Sequence, residues 1–272
     1  MNDISTDWTI RDVPERIVCL TEDPTEILYE LGEGDRIVGI SAYTERPPEA
    51  KERHPVVSAF IGGSVDKIRD LEPDLVIGFS DIQGELAQEL VEANLQVLIF
   101  NQRSIQQILD VVMTLGQMVG AGERAEALVA DYIDRLQAAA ERTREQDSRP
   151  TVYFEEWNDP QICGIQWVGE LVELAGGRNV FADRAAGKQA EDRFVDRGEV
   201  VDADPDIIIG SWCGEPVDKE DFGGRPGFDQ ITAVQNDAIY EVDSTLILQP
   251  GPACLTDGLE RLEEIIRPHA AG

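Results

Sequence analysis

Three groups of side chains in this 272-residue chain are of types that do chemistry: two histidines, four cysteines and 54 carboxylates. His54 and His269 are too few to assemble a transition-metal cleft from imidazoles. Cys19, Cys163, Cys213 and Cys254 stand 144, 50 and 41 residues apart, with no CxxC pair and no disulfide framework, so they read as free buried thiols. Cys213 follows Trp212 at a strand end and is of a type that serves as nucleophile or soft metal ligand. With no histidine near it in sequence, it too reads as a small buried thiol. Glu155 and Glu156 are adjacent acids of the kind that work as acid and base, but in so acidic a chain such pairs arise by composition, and a solvated face is expected. Gly120-Ala-Gly-Glu-Arg-Ala125 satisfies a dinucleotide spacing, yet it follows a helical segment instead of a strand, which aims its amides away from any pyrophosphate. GxxxxGK[ST], GxSxG and HExxH are absent, which removes the P-loop, nucleophile-elbow and zincin readings. The expectation is a protein without catalytic residues, resident metal or required cofactor.

The aromatic residues carry more information. Tyr43, Phe60, Phe79 and Trp212 each stand just beyond a short apolar run. Flat apolar walls at strand ends suit a large, rigid, partly apolar ligand. The runs that position them are Arg16–Leu20, Ile37–Ile40, Leu75–Phe79 and Gln96–Phe100 in the first half, and Thr151–Phe154, Asp206–Ile209 and Ala238–Val242 in the second. Segments of helical period separate them, which is the pattern of parallel α/β sheets. Helices are expected over Ser104–Val119, Trp167–Ala175 and Leu255–Ile266. Glu123–Gln146 places Ala125, Leu128, Val129, Tyr132, Ile133, Leu136 and Ala140 on one face and predicts a single long helix of ~36 Å. Its polar end closes at Pro150. The expected domains are an N-terminal lobe over 1–121, a connecting helix over 122–147 and a C-terminal lobe over 148–272.

The two halves echo each other. Asp70-Leu-Glu-Pro-Asp-Leu-Val-Ile-Gly78 aligns with Asp202-Ala-Asp-Pro-Asp-Ile-Ile-Ile-Gly210 at an offset of 132, and Leu28–Gly34 with Leu171–Gly177 at 143. In each Pro-Asp segment proline blocks a helix and Asp opens a buried strand. The fold class is therefore α/β: two similar parallel-sheet lobes joined by one long helix, with a ligand cleft between them. Ligands of open α/β sheets sit outside the carboxyl ends of the strands, which points to Phe79, Ser80 and Asp81 and to Ser211, Trp212 and Cys213.

Charge sets further bounds. With 23 basic against 54 acidic residues the net charge is −31, spread along the whole length. This is the composition of a halophile's protein, in which molar salt shortens the Debye length to about 3 Å and screens the repulsion. A nucleic-acid duplex is excluded as a partner because nothing forms a basic stripe, and an anionic membrane surface is disfavoured for the same reason. No apolar run approaches the ~20 residues of a membrane span. Met1–Pro14 lacks the pattern of a secretory signal, so the chain as written reads as cytoplasmic; a leader removed upstream would make it periplasmic or cell-surface. A monomer is expected.

Taken together, Arg16–Leu20, Val38–Tyr43, Pro47–Ala50, Val57–Gly62, Leu71–Ile77, Leu174–Phe181 and Asp204–Ile208 resemble the cobalamin and ferric-siderophore substrate-binding proteins of ABC importers. Tyr153–Trp157, Ser211–Gly214 and Leu248–Pro252 resemble the subgroup labelled cobalamin-binding. The resemblance implies a non-enzymatic receptor for a corrinoid, with a ferric siderophore or haem as the alternative ligand, and an ABC permease as partner. It implies that Tyr43, Phe60 and Phe79 face the corrinoid from the first lobe and Trp167 and Trp212 from the second. Phenylalanine stands at positions 60 and 79, where the cobalamin-binding relatives carry tryptophan. It also implies docking on the permease through one acid per lobe, seven residues ahead of the Pro-Asp proline. Asp66 fits; in the second lobe that position is Gly198, with Glu199 one step along. The competing reading is a cytosolic corrinoid-handling or chelatase-like enzyme using acids or Cys213.

Overall fold

The computed structural model describes residues 13–270. The polar opening segment discussed above lies almost wholly outside them. The chain divides into two compact units: unit 1 comprises the residues up to Asn101 with Val112–Ala127, and unit 2 comprises Gln102–Val111 with the residues from Leu128 onward.

Unit 1 alternates strands and helices: β1 (Ile17–Cys19), α1 (Glu22–Glu30), β2 (Ile37–Ser41), α2 (Ala50–Arg53), β3 (Val56–Ser58), α3 (Val65–Asp70), β4 (Leu75–Phe79), α4 (Gly84–Glu92) and β5 (Val97–Phe100). The strands form one parallel sheet in the order β3-β2-β1-β4-β5. Every residue of β4 is buried, as an unbroken apolar run requires when helices cover both faces, whereas β5 at the sheet edge is only half-buried. Val18, Leu20, Val57, Ile68, Val76 and Leu90 make the core.

Two longer helices follow, α5 (Ile105–Met118) and α6 (Gly122–Arg144). α6 is the long helix that the periodicity predicts. Ala125, Tyr132 and Leu136 are buried as expected, but Ile133 is 36% exposed, and Ala139 is the buried residue on the next turn.

Unit 2 continues with β6 (Thr151–Asn158), β7 (Gln161–Cys163), α7 (Gln166–Leu174), β8 (Arg178–Asn179), α8 (Ala182–Ala185), α9 (Arg197–Ala203), β9 (Ile207–Gly210), α10 (Lys219–Gly224), α11 (Thr232–Gln235), β10 (Ile239–Glu241), α12 (Ser244–Ile247) and α13 (Leu259–Ile266). Its sheet runs β10-β9-β6-β7, with β8 also on β6. All pairings are parallel except β6 with β7, a hairpin that occupies the far half of the β6 edge while β8 takes the near half. The sheet is therefore parallel with one antiparallel addition.

The internal repeat has a physical basis. Before each proline of the Pro-Asp segments stands a residue of positive φ, Glu72 at 46° and Asp204 at 41°, which turns the chain out of α3 and α9. Each Asp then ties its strand to the first strand of the unit. Asp74 accepts from the Glu15 and Arg16 amides at 2.8 and 3.0 Å, and Asp206 accepts from the Thr151 amide and hydroxyl, both at 2.7 Å. The helix repeat is registered one residue further along than the ungapped alignment suggests. Gly32 (φ 75°) and Gly176 (φ 100°) take the left-handed position after α1 and α7, and the next amides return to Leu28 and Val172, an offset of 144.

Candidate functional site

The carboxyl ends of the unit 1 strands expose apolar side chains together. Tyr43 follows β2 and is 47% exposed, half-buried Phe60 and the 64%-exposed Ile61 follow β3, and Ile82 follows β4 at 45%. This is the edge at which an open α/β sheet takes its ligands. Tyr43 and Phe60 were legible as strand-end aromatics; Ile61 and Ile82 were missed because a lone isoleucine in a loop carries no pattern. Phe79 departs from the expectation of a wall residue. It is 5% exposed and ends β4, just ahead of the short helical turn Asp81–Gln83.

Below this edge sit buried acids. α1 begins at the end of β1 with Glu22, Asp23 and Glu26, all in the interior. Carboxylates in the first turn match the positive end of the helix dipole. The Thr21 hydroxyl donates to Asp23 at 2.7 Å, and the Arg46 guanidinium, beyond Tyr43, donates to Glu26 at 2.8 Å. Burial pushes the Glu22 carboxyl up to about 7, with the neighbouring charges of Asp23 and Glu45 adding to the rise and Lys51 opposing it.

In unit 2 the corresponding edge is organised by a buried ion pair. Glu155, wholly buried, accepts from the Tyr153 hydroxyl (2.9 Å), the Gln161 amide (3.0 Å), the Trp212 indole (3.1 Å) and both terminal nitrogens of Arg225 (2.6 and 3.0 Å). Arg225 also reaches Asp221 at 2.8 Å and lies 4.2 Å over the Phe222 ring. Glu156, on the opposite face of β6, pairs with buried Arg193, which donates as well to the Cys163 carbonyl at 2.7 Å. The expectation of a solvated Glu155–Glu156 face is therefore corrected. Alternation along the strand sends the two acids to opposite faces, and each meets an arginine brought from a distant loop.

Trp212 lies at the end of β9 as expected, but it is 6% exposed and packs with Phe222 and Phe228 in the core of unit 2. Trp167 is 2% exposed, and its indole donates to the Ile247 carbonyl at 2.9 Å. Cys213 is the reverse case. Cys19, Cys163 and Cys254 are buried as expected, but Cys213 is exposed, since the tight turn from Trp212 to Glu215 lifts it off the strand end. Burial pushes the Cys19 and Cys163 thiols up to about 12 and 11.

The docking candidates occupy matched elements. Asp66 is the second residue of α3; its side chain is 79% exposed and pairs with Arg69 at 2.7 Å. Gly198 holds the same place in α9. Glu199 forms a capping box with Asp196, accepting its amide at 2.8 Å, and pairs with Arg184. The capping amide and the Arg184 guanidinium hold its carboxyl below the usual range.

Neither histidine stands at these strand ends, and His269 lines a cavity of about 290 Å³ with Arg149, Asp206, Thr232 and Asn236. His54 Nε2 lies 2.8 Å from the Tyr29 hydroxyl and His269 Nε2 lies 2.9 Å from the Tyr240 hydroxyl, each ring edge-on to its tyrosine. Both pairs lie towards the amino ends of the strands. Among the described residues no three His, Cys, Asp or Glu side chains are grouped to hold a metal ion, and no helix is long and apolar enough to cross a membrane.

Comparison with known proteins agrees with this architecture. The family model described as periplasmic binding protein matches residues 17–246. An uncharacterised ABC transporter substrate-binding lipoprotein of Bacillus subtilis, YvrC, is 29% identical over 96% of this chain and 83% of its own length. A cobalamin-binding protein of Halobacterium salinarum is 28% identical over 91% of this chain and 68% of its own. The solved periplasmic haem-binding protein RhuT of Roseiflexus, in apo form, superposes with a TM-score of 0.78 at 25% identity, covering 92% of this chain and 98% of its own. The chain belongs to the periplasmic binding protein family.

Proposed function

We propose that the protein is the substrate-binding component of an ABC importer and that its ligand is a corrinoid. The observation that carries the reading is the exposed apolar edge of Tyr43, Phe60, Ile61 and Ile82 at the carboxyl ends of the unit 1 strands. A large rigid ligand that covers such an edge gains roughly 25 cal/mol for each Å² of apolar surface removed from water. The charge around it narrows the ligand class. Exposed Asp81 and Glu45 border these loops, Glu45 paired with Lys51 and Arg46 with Glu26. Such surroundings favour a ligand rimmed by neutral amides, as cobalamin is, over one carrying carboxylates. The similarity to a cobalamin-binding protein of a halophile supports the same choice.

Haem or a ferric chelate is the second reading, favoured by the exposed Tyr43 phenol, an oxygen donor that suits ferric iron, and by the similarity to a haem-binding protein. In either case Asp66 is the acid of unit 1 that would meet a permease.

Incubating the protein separately with cyanocobalamin, haemin and a ferric hydroxamate, followed by desalting and an absorbance spectrum, tests the assignment. Retention of the corrinoid chromophore in stoichiometric amount is expected. Retention of haemin or the ferric chelate without cyanocobalamin overturns it in favour of the second reading.

A further inference from the structure

In the order β3-β2-β1-β4-β5, strand order reverses between β1 and β4. The crevice at such a reversal is where an open sheet ordinarily admits a ligand. In unit 1 that position is filled from within. Gln83, fully buried, donates from Nε2 to the Leu20 carbonyl at the end of β1 (3.3 Å) and to the Phe60 carbonyl in the loop after β3 (3.0 Å). Its Oε1 accepts from the Phe79 amide at the end of β4 (3.1 Å). The Leu20 carbonyl is held a second time by the Ser58 hydroxyl at 3.1 Å. One side-chain amide thus joins three strand ends.

Room for it comes from Gly78. A Cβ there would collide with Gln83 Oε1 and lie 2.8 Å from the Ile99 side chain. A buried amide bonded in this way adds modestly to stability, but leaving its partners unsatisfied is costly, so the three strand ends are tied into one arrangement. Of the three, the loop after β3 is the one that carries a half-exposed aromatic side chain, Phe60, beside exposed Ile61.

We propose that Gln83 is the positioning residue of the unit 1 ligand edge. By plugging the crevice between β1 and β4 and holding the Phe60 carbonyl, it fixes the Phe60 loop so that a ligand lies across the strand ends instead of between them. Gln83 itself touches no ligand. The inference rests on the reading of this edge as the ligand surface, and its test separates the two.

The variants are Gln83→Met, which keeps the shape and loses the hydrogen bonds, and Gly78→Ala, which leaves the amide in the sequence and displaces it. Hydrogen exchange is measured first, on ligand-free protein. Amides of the 59–64 loop, where Ala59 and Ser64 donate to Gly62 and Val57, should exchange at least tenfold faster in either variant, with β1 and β2 amides within about threefold of the parent. A uniform rise across the sheet, or no rise in the loop, overturns the proposal. Cyanocobalamin titration of Gln83→Met, Phe60→Ala and the double variant follows. A loss of about tenfold for Gln83→Met, with the double variant no more than twofold weaker than Phe60→Ala, is expected if Gln83 acts through Phe60. Multiplying losses overturn that link. A parent protein that retains no cyanocobalamin refutes the corrinoid reading alone, and loop exchange then decides the role of Gln83.

Discussion

Replacing Trp212 with alanine should destabilise unit 2 severely. The side chain is 6% exposed, packs 6.1 Å centroid to centroid from Phe222, and donates its indole hydrogen to Glu155 at 3.1 Å. Truncating a buried tryptophan costs about 3–5 kcal/mol in lost transfer energy and cavity formation. Removing one donor from a wholly buried carboxylate adds about 1–2 kcal/mol. A loss of about 5 kcal/mol corresponds to a fall of roughly 10–20 °C in the thermal midpoint for a unit of this size. Urea unfolding followed by circular dichroism measures the first quantity and calorimetry the second. A stability loss under about 1 kcal/mol, accompanied by a tenfold or greater fall in cobalamin affinity, would refute the reasoning and return Trp212 to the ligand surface.

Glu22→Gln should stabilise the protein above neutral pH. The native carboxyl titrates at about 7 against 4.5 for an ordinary glutamate, so the unfolded chain ionises first and native stability falls between those values. The gain should reach on the order of 3 kcal/mol at about pH 8 and vanish below about pH 4.5, read from urea midpoints across that range. With a net charge of −31, the parent's thermal midpoint should climb steadily from dilute buffer to molar KCl, and a flat or falling trend refutes the halophilic reading. Asp66→Lys should weaken binding to a permease at a stability cost of under about 1 kcal/mol, from its exposed pair with Arg69 and its place in the first turn of α3, whereas Glu199→Ala should cost about 1 kcal/mol through loss of its capping box. A Gly198→Asp variant, whose Cβ meets nothing within 4 Å, should fold normally and strengthen docking by matching Asp66.

Local order was largely readable from the chain itself. β4 and β9 are unbroken apolar runs because both of their faces are covered, the period of α6 picks out Ala125, Tyr132 and Leu136 of its buried stripe, and the repeated Pro-Asp segments mark the strands that return to β1 and β6. Each of these signals arises between residues a few positions apart. The three-residue β3 is too short for any period to show, and the β7 hairpin interrupts a parallel grammar that predicts no antiparallel partner.

Tertiary structure alone decided which strand-end side chains face solvent. Trp212 is covered through Glu155, 57 residues earlier, and Glu155 through Arg225, 70 residues later; Gln83 meets Leu20 across 63. Glu155 and Glu156 look alike in an acidic chain, and Cys213 looks like the other cysteines, until the pleat of β6 and the turn after β9 separate them. A side chain at the end of a strand has no periodic neighbours to report its surroundings. Its burial is set by whichever distant loop closes over it, and that is a property of the folded sheet.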